Sequence, residues 1–504
     1  MRRERLLVSA WAGLLSALMF GFTIHSVALG QCPYTQTGEV ATGGRFGTQV
    51  GPAGDVDGDG YPDFLVATST LSLLPSEVFV FSGRTNELLQ TLAQHRKYHF
   101  SSQIAGMGDI NNDGFGDILI GTRIFSGIDW QILFALDTVP DTIPVKRFGI
   151  ALGDVNNDGI NDFAMSLPGN SATFTDIGQV SVYSGIDGAL LHVLNGDSPG
   201  DQFGHRVAPA GDVNGDGFAD IIVQTRRWNL SPAMSRISIY SGLDGRELHN
   251  FTGGVEDGIP NRGITAVGDV NGDGFDDIAF GFPKLVNEDT YHEIVSVRSG
   301  LDGSELLRIS GDTNTYGVSY FGAALAGGAD IDGDGIPDIV VGAHFFGYSS
   351  GARNGAVFVY SGADGSLIGE MFGEENFDQF GKSVAIVGDI NLDGRNDILI
   401  GAFEYGYPSA GAYPDSYLNT GKTYLFTCLE PCCTIPGDVD NGGDANIGDA
   451  IFIVKYIFQD GDTPPCLDQA DADGSNDVNI GDATYIVKYI FQGSASPVCG
   501  TTGS

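Results

Sequence analysis

Basic residues are few in this sequence: 25 Lys and Arg stand against 64 Asp and Glu, a net charge of −39 over 504 residues. A surface so acidic repels phosphate polymers, which argues against nucleic acid or anionic lipid as partners for the chain as a whole. Cysteine is missing from the whole stretch between Cys32 and Cys428. No disulfide framework holds that long middle, so packing must do it, with or without bound metal. The 8 histidines fall into no HExxH or other paired-ligand spacing, which removes the usual histidine zinc centres. After residue 30 no apolar run is long enough to cross a bilayer.

What is abundant is glycine, 75 residues, and an acidic loop that recurs. In GDVNGDGFADIIV, beginning at Gly211, oxygen side chains stand at loop positions 1, 3, 5 and 9 (Asp212, Asn214, Asp216, Asp220), with Gly217 at position 6. Hard oxygen donors at that spacing around a sharp turn suit Ca2+, and the carbonyl at position 7 adds a backbone ligand. Six more loops repeat the pattern. They are Asp55, Asp57, Asp59 and Asp63; Asp109, Asn111, Asp113 and Asp117; and Asp154, Asn156, Asp158 and Asp162. The remaining three are Asp269, Asn271, Asp273 and Asp277; Asp330, Asp332, Asp334 and Asp338; and Asp389, Asn391, Asp393 and Asp397. Successive loops start between 45 and 61 residues apart. One match would be a weak signal, but seven in near-constant register mark a repeat architecture. An EF-hand would need Glu at position 12 and an exit helix. Here an apolar β-type run follows instead, so each loop is expected to join two strands.

Each repeat between about residues 41 and 427 has one grammar. A Phe-Gly pair comes first (Phe46-Gly47, Phe148-Gly149, Phe203-Gly204, Phe321-Gly322, Phe380-Gly381), then the acidic loop and a short apolar run such as DIVVGA. An alternating run such as GAVFVYSG and a DG turn follow. Short runs bounded by Gly, Asp and Asn read as strands, about four per repeat. The expected fold is therefore mainly β, a seven-bladed β-propeller of four-stranded antiparallel blades. The Phe-Gly pair, the D-h-[DN]-x-D-G-x-x-D loop and the closing Gly-Ala pairs (Gly342-Ala343, Gly401-Ala402) resemble the FG-GAP repeat family, the propeller of integrin α subunits. Propellers of that family usually load Ca2+ in only some blades, whereas here every loop keeps its ligand types, so about seven Ca2+ ions are expected in the propeller. The fifth repeat departs from the pattern with Arg262-Gly263, and the second with Phe100-Ser101 and no clear DG tail.

The two ends read differently. Residues 1–30 have a basic start, an apolar stretch and small residues before Gln31, which is the pattern of a signal peptide. The chain is therefore expected to be secreted or at the cell surface, with an uncleaved anchor as the alternative. Residues 31–430 are assigned to the propeller, and a pairing of Cys32 near the far end, with Cys428, would fasten its first repeat to its last. Over residues 431–504, IGDAIFIVKYIFQ and IGDATYIVKYIFQ are near-duplicates with apolar residues at helical spacing. Each follows an acidic loop: Asp438, Asp440, Asp444, Asn446 and Asp449, then Asp471, Asp473, Ser475, Asn479 and Asp482. Ligands at 1, 3, 5, 9 and 12, the last opening a helix, resemble the paired EF-hand-type loops of type I dockerins. The resemblance implies one or two further Ca2+ ions and a cohesin-like or cell-surface partner. Gly442 occupies position 5 of the first loop, so the second is expected to bind more tightly. The partner-choosing positions would be Ile447, Gly448, Val454 and Lys455, with Ile480, Gly481, Val487 and Lys488 in the duplicate.

No catalytic residue is assigned. Gly347-Tyr348-Ser349-Ser350-Gly351 fits the G-x-S-x-G pattern, but that motif needs a strand-to-helix elbow and here falls between strands. The preferred reading is an exported calcium-binding scaffold for an extracellular protein or polysaccharide ligand. The alternative is a secreted hydrolase or lyase acting on polysaccharide, docked through the same module.

Overall fold

The computed structural model describes residues 33–36, 45–69, 77–93, 104–135, 148–169, 177–198, 200–227, 234–253, 262–287, 290–311, 319–347, 354–374, 377–392, 394–403 and 421–427. Beyond these it describes 437, 439, 445–458, 470, 472–473, 478–492 and 495–497. Seven antiparallel sheets of four strands account for the first group. In six of them the strands pair in chain order. The first strands are β2 (Gln49–Gly54), β6 (Ile104–Gly108), β10 (Phe148–Ala151), β14 (Arg206–Gly211), β18 (Ile264–Gly268), β22 (Ala324–Ala329) and β26 (Ser383–Gly388). Each touches the first strand of the next sheet, and β26 returns to β2. The sheets are thus blades on a closed ring, with the first strands innermost. The seventh blade is completed by the opposite end of the chain. After β27 (Asp397–Ala402) and β28 (Lys422–Phe426) its outer strand is β1 (Pro33–Gln36), with Pro33 opposite Phe426. Pro33 and Phe426 are one and two residues from Cys32 and Cys428, which themselves lie outside the described residues.

Burial explains why the second strands read as continuous apolar runs. Asp63–Ala67, Asp338–Ala343 and Asp397–Ala402 are buried at every residue, because neighbouring blades cover both faces. In outer strands such as β13 (Leu190–Asn195) half the residues are exposed and only one is buried. Between blades sit the phenylalanines of the repeated pair: Phe46, Phe203, Phe321 and Phe380 are at most 2% exposed. Each meets a third-strand aromatic nearly edge-on, Phe46 with Phe81, Phe203 with Tyr240, Phe321 with Tyr360 and Phe380 with Tyr424, at 5.0 to 6.2 Å between centroids. The glycine after each has φ between 73° and 82°. A Cβ there would also strike the preceding blade, as on the Lys422 carbonyl at Gly47 and the Ala356 carbonyl at Gly381. Backbone conformation and close approach together require glycine.

Register corrects two of the expected pairs. In the first, fourth, sixth and seventh blades the residue six after the phenylalanine (Pro52, Pro209, Gly327, Ile386) pairs with the residue following the ninth-position aspartate. In the third blade that place belongs to Ala151, so Phe148 corresponds to Gln49 and not to Phe46. In the fifth it belongs to Ala266, so Arg262 corresponds to Thr48, His205 and Lys382. The second blade keeps four strands, β6 to β9 (Ile132–Ala135), despite lacking a DG tail. Trp130 takes the glycine's place with φ 60, donating its amide to the Ser126 carbonyl as Gly188 does to Ser184.

Among the described C-terminal residues are two helices, α1 (Ile447–Phe458) and α2 (Ile480–Gln492), packed through Ala450, Ile453, Ala483 and Ile486. Phe452, Tyr456, Tyr485 and Tyr489 are half-buried around this aliphatic core.

Candidate metal centre

The seven acidic loops each join a first strand to a second strand, so all lie at one end of the ring. Their internal hydrogen bonding repeats almost atom for atom. The first aspartate accepts the position-6 glycine amide on Oδ2 in all seven, from 2.7 Å at Gly114, Gly159 and Gly394 to 2.9 Å at Gly60. Those glycines have φ from 85° to 93°, which only glycine adopts without cost. The third-position Asp57, Asn111, Asn156, Asn214, Asn271 and Asp332 accept the fifth-position amide at 2.9 to 3.1 Å. The fifth-position Asp59, Asp113, Asp158, Asp216, Asp273 and Asp334 accept the seventh-position amide at 2.8 to 3.1 Å. In the seventh loop Asn391 donates to the Thr427 carbonyl, and Asp393 lies outside the described residues.

The ninth-position aspartates are set deeper. Asp63, Asp117, Asp162, Asp220, Asp277, Asp338 and Asp397 are at most 2% exposed. Each accepts the amide of the second loop residue on Oδ2. In the first six blades Oδ1 accepts the glycine amide that opens the third-to-fourth strand turn, Gly83, Gly127, Gly185, Gly242, Gly300 or Gly362. This residue therefore ties loop to blade as well as facing the loop interior. Burial pushes Asp63 and Asp220 up to about 7 and Asp117, Asp162, Asp277 and Asp338 up to about 6. The amide bonds oppose this, while neighbouring loop carboxylates add to it.

The residues fit a hard divalent cation. Carboxylate oxygens of Asp55, Asp57 and Asp59 lie within 4.8 Å of one another, as do those of Asp330, Asp332 and Asp338. The donors are all oxygen, which selects Ca2+ over softer metals. Arg84, 3.9 Å from Asp59, is largely exposed, and Arg395 of the seventh loop reaches over Gly333 of the sixth.

Sequence reasoning missed the coupling between loops. The position-8 amides of Gly116, Ala219 and Asp276 donate to the first-aspartate carbonyls of the preceding loops, Asp55, Asp154 and Asp212, at 2.6 to 3.1 Å. The Asp276 carboxylate also accepts the Asp212 amide at 2.8 Å. Position 8 is Gly, Ala or Asp, so no side-chain pattern betrayed a backbone link.

In the C-terminal unit Asp449 and Asp482 are fully buried. Asp449 accepts the amides of Asn446 and Val439, and Asp482 those of Asn479 and Asp473. Asn446 and Asn479 in turn accept the amides of Gly448 and Gly481, a reciprocal helix cap. Asp438, Asp440, Asp444, Asp471 and Ser475 lie outside the described residues. Between α1 and α2 runs an apolar groove of about 440 Å3 lined by Ile447, Val454, Lys455 and their duplicates Ile480, Val487 and Lys488. The G-x-S-x-G segment lies between two paired strands, Asp338–Ala343 and Ala356–Tyr360; residues 348–353 are outside the described set.

Against known proteins, residues 46–72, 203–225, 262–289 and 321–360 match the FG-GAP repeat. Integrin alpha-5 of Xenopus laevis is 28% identical over 244 residues, 45% of this chain and 22% of that protein. Integrin alpha pat-2 of Caenorhabditis briggsae is 33% identical over 163 residues, 29% and 13% of the two chains. Integrin alpha-V of Gallus gallus is 29% identical over 214 residues, 40% and 20%. The matched region thus spans about a fifth or less of these relatives' length. Among solved structures, Kuenenia stuttgartiensis Hydrazine Synthase aligns at a TM-score of 0.47 and 12% identity over 79% of this chain and 100% of that one, too slight a likeness to extend the reading. These matches and the seven four-stranded blades support an integrin-alpha-like FG-GAP β-propeller. No helix among the described residues is long and apolar enough to cross a membrane.

Proposed function

We propose that the chain is an exported calcium-binding scaffold, its residues 31–430 binding an extracellular ligand and its residues 431–504 tethering it through a dockerin-like module. The observation that carries this is the sevenfold repetition of one oxygen-lined loop at one end of a closed ring. Ca2+ held by positions 1, 3, 5 and 9 would supply the positive charge that each carboxylate cluster lacks. Because the ninth aspartate also holds the third-to-fourth strand turn, filling a loop stiffens its whole blade. The opposite end is left free to present loops, which is where a rigid scaffold carries binding. Most of the long connections expected to do so, 67–77, 166–177, 343–354 and 402–420, fall outside the described residues. For the C-terminal unit, the duplicated caps and the groove between α1 and α2 support a docking role toward a cohesin-like or cell-surface partner. Six of the eight positions the dockerin resemblance singles out line the groove, all but Gly448 and Gly481.

A ligand that binds only the native state raises its stability. Full-length protein should therefore melt at least about 10 °C higher in millimolar Ca2+ than in EDTA, given the several sites that would act together. An unchanged melting curve would remove the calcium scaffold.

A further inference from the structure

Seven loops of one design need not bind alike, because neighbouring loops touch through a residue that varies. Position 8 is Pro62, Gly116, Asn161, Ala219, Asp276, Pro337 and Asn396 in turn. It stands between position 7, which supplies the backbone ligand, and the ninth-position aspartate. A filled loop therefore fixes residue 8 from both sides.

Asp276 of the fifth loop is the one aspartate at this position, and it holds the fourth loop at two points. Its amide donates to the Asp212 carbonyl at 3.1 Å, and its Oδ2 accepts the Asp212 amide at 2.8 Å. Both main-chain groups of the fourth loop's first ligand are thus held by a single residue of the next blade. The fit is close: a Cβ on Gly211 would fall 2.1 Å from Asp276 Oδ2, and one on Gly215 would fall 2.8 Å from the Phe275 ring. Held so, Asp212 turns its own carboxylate into its loop, where Oδ1 accepts the Asp216 amide and Oδ2 the Gly217 amide. A second tie joins the same two blades. His249 of the fourth blade donates from Nε2 to the Gly300 carbonyl at 2.6 Å, and the Gly300 amide donates to Asp277, the ninth-position residue of the fifth loop.

Other neighbours have less. Gly116 and Ala219 give the amide bond to the preceding loop but carry no side chain that could accept one in return. Pro62 and Pro337 have no amide hydrogen to give. Asn161 spends its side-chain amide on the Met107 carbonyl, ahead of the second loop.

We propose that Asp276 is a positioning residue that couples the fourth and fifth loops, so that Ca2+ bound in one raises the affinity of the other. The inference deepens the calcium reading of the propeller and rests on it. With the fifth loop filled, Phe275 and Asp277 are fixed, and with them the residue that keeps Asp212 turned into its own loop. The effect is reciprocal, as any linkage between two binding equilibria is.

The test is the calcium isotherm of the full chain by chelator competition, which reads both the number of ions and their affinities. Asp273→Ala disables the fifth loop. It should remove one ion and weaken one other about five- to tenfold. Asp334→Ala in the sixth loop should remove one ion and leave the rest unchanged, because Pro337 gives its neighbour no amide bond. In an Asp276→Ala background, Asp273→Ala should still remove its ion but shift the remaining affinities less than about twofold. Asp276→Asn keeps an acceptor oxygen for the Asp212 amide and should couple the loops as the wild type does. At saturating Ca2+ neither Asp276 variant should change the number of ions bound. Equal effects of Asp273→Ala with and without Asp276→Ala, or an Asp276→Asn chain that behaves as Asp276→Ala does, would overturn the proposal. Should Asp276→Ala fail to fold, Asp273→Ala alone decides, since loss of its ion with no change at any other would equally overturn it. If ions still bind in that case, the calcium scaffold stands and only the coupling falls; a chain that binds no Ca2+ would lose both.

Discussion

Leu392 occupies the fourth position of the seventh loop with φ 58, where the other loops have Gly58, Asn112, Asn157, Gly215, Gly272 and Gly333. It is 55% exposed, so little packing offsets the backbone strain. Leu392→Asn should stabilise the protein by about 0.5–1 kcal/mol in denaturant titration, and a loss of stability would show that Leu392 packs usefully. His344 makes a second prediction at this scale. Burial, then Lys382 and Arg262, hold it down to about 2, well below an unfolded histidine. A depressed histidine contributes stability that is complete above about pH 6.5 and lost as pH falls, because the unfolded chain then takes the proton that the folded chain refuses. Between pH 6.5 and 4.5 this amounts to about 2–3 kcal/mol, so the stability difference between wild type and His344→Gln should shrink by that much. A difference constant with pH would contradict it. The hydrogen-bonded aspartates and asparagines of the seven loops were legible in the sequence because their arrangement depends on local spacing. His344 was not, since it and its neighbours Tyr320 and Lys382 come from three strand-ends brought together only by the ring.

Elements were readable where one pattern recurs and obscure where pairing is long-range. The acidic loop followed by an apolar run announced first and second strands seven times. The four residues of β1 carry no comparable signal, and their partner β28 lies almost the whole chain away. The last repeat has no DG turn and tail after Phe426, which is where β1 fills in. The displaced register of Arg262 and Phe148 was hidden for a different reason. A dipeptide resembling the motif stood a few residues from where the ladder needed it, and only the cross-strand pairing could tell the two apart. The repeated phenylalanines act as wedges between blades, so Phe380→Ala should cost about 3–5 kcal/mol, measured by chemical unfolding. A cost under about 1 kcal/mol would mean the interface collapses around the gap.

At the scale of the whole molecule, carboxylates line one end of the propeller in seven loops, with backbone links between three neighbouring pairs of them. The fold follows from apolar second strands that must be covered on both faces, which a closed ring achieves without an exposed central edge. Its acidity is in large part a set of prospective cation sites, each too crowded with carboxylate to be comfortable empty at neutral pH. The most direct test is calcium stoichiometry of the full chain by equilibrium dialysis with metal analysis. About seven ions per propeller, with one or two more for the C-terminal unit, are expected from the ligand sets. Asp220→Ala should remove about one ion and leave the others. Retention of no more than one or two ions in all would contradict the account.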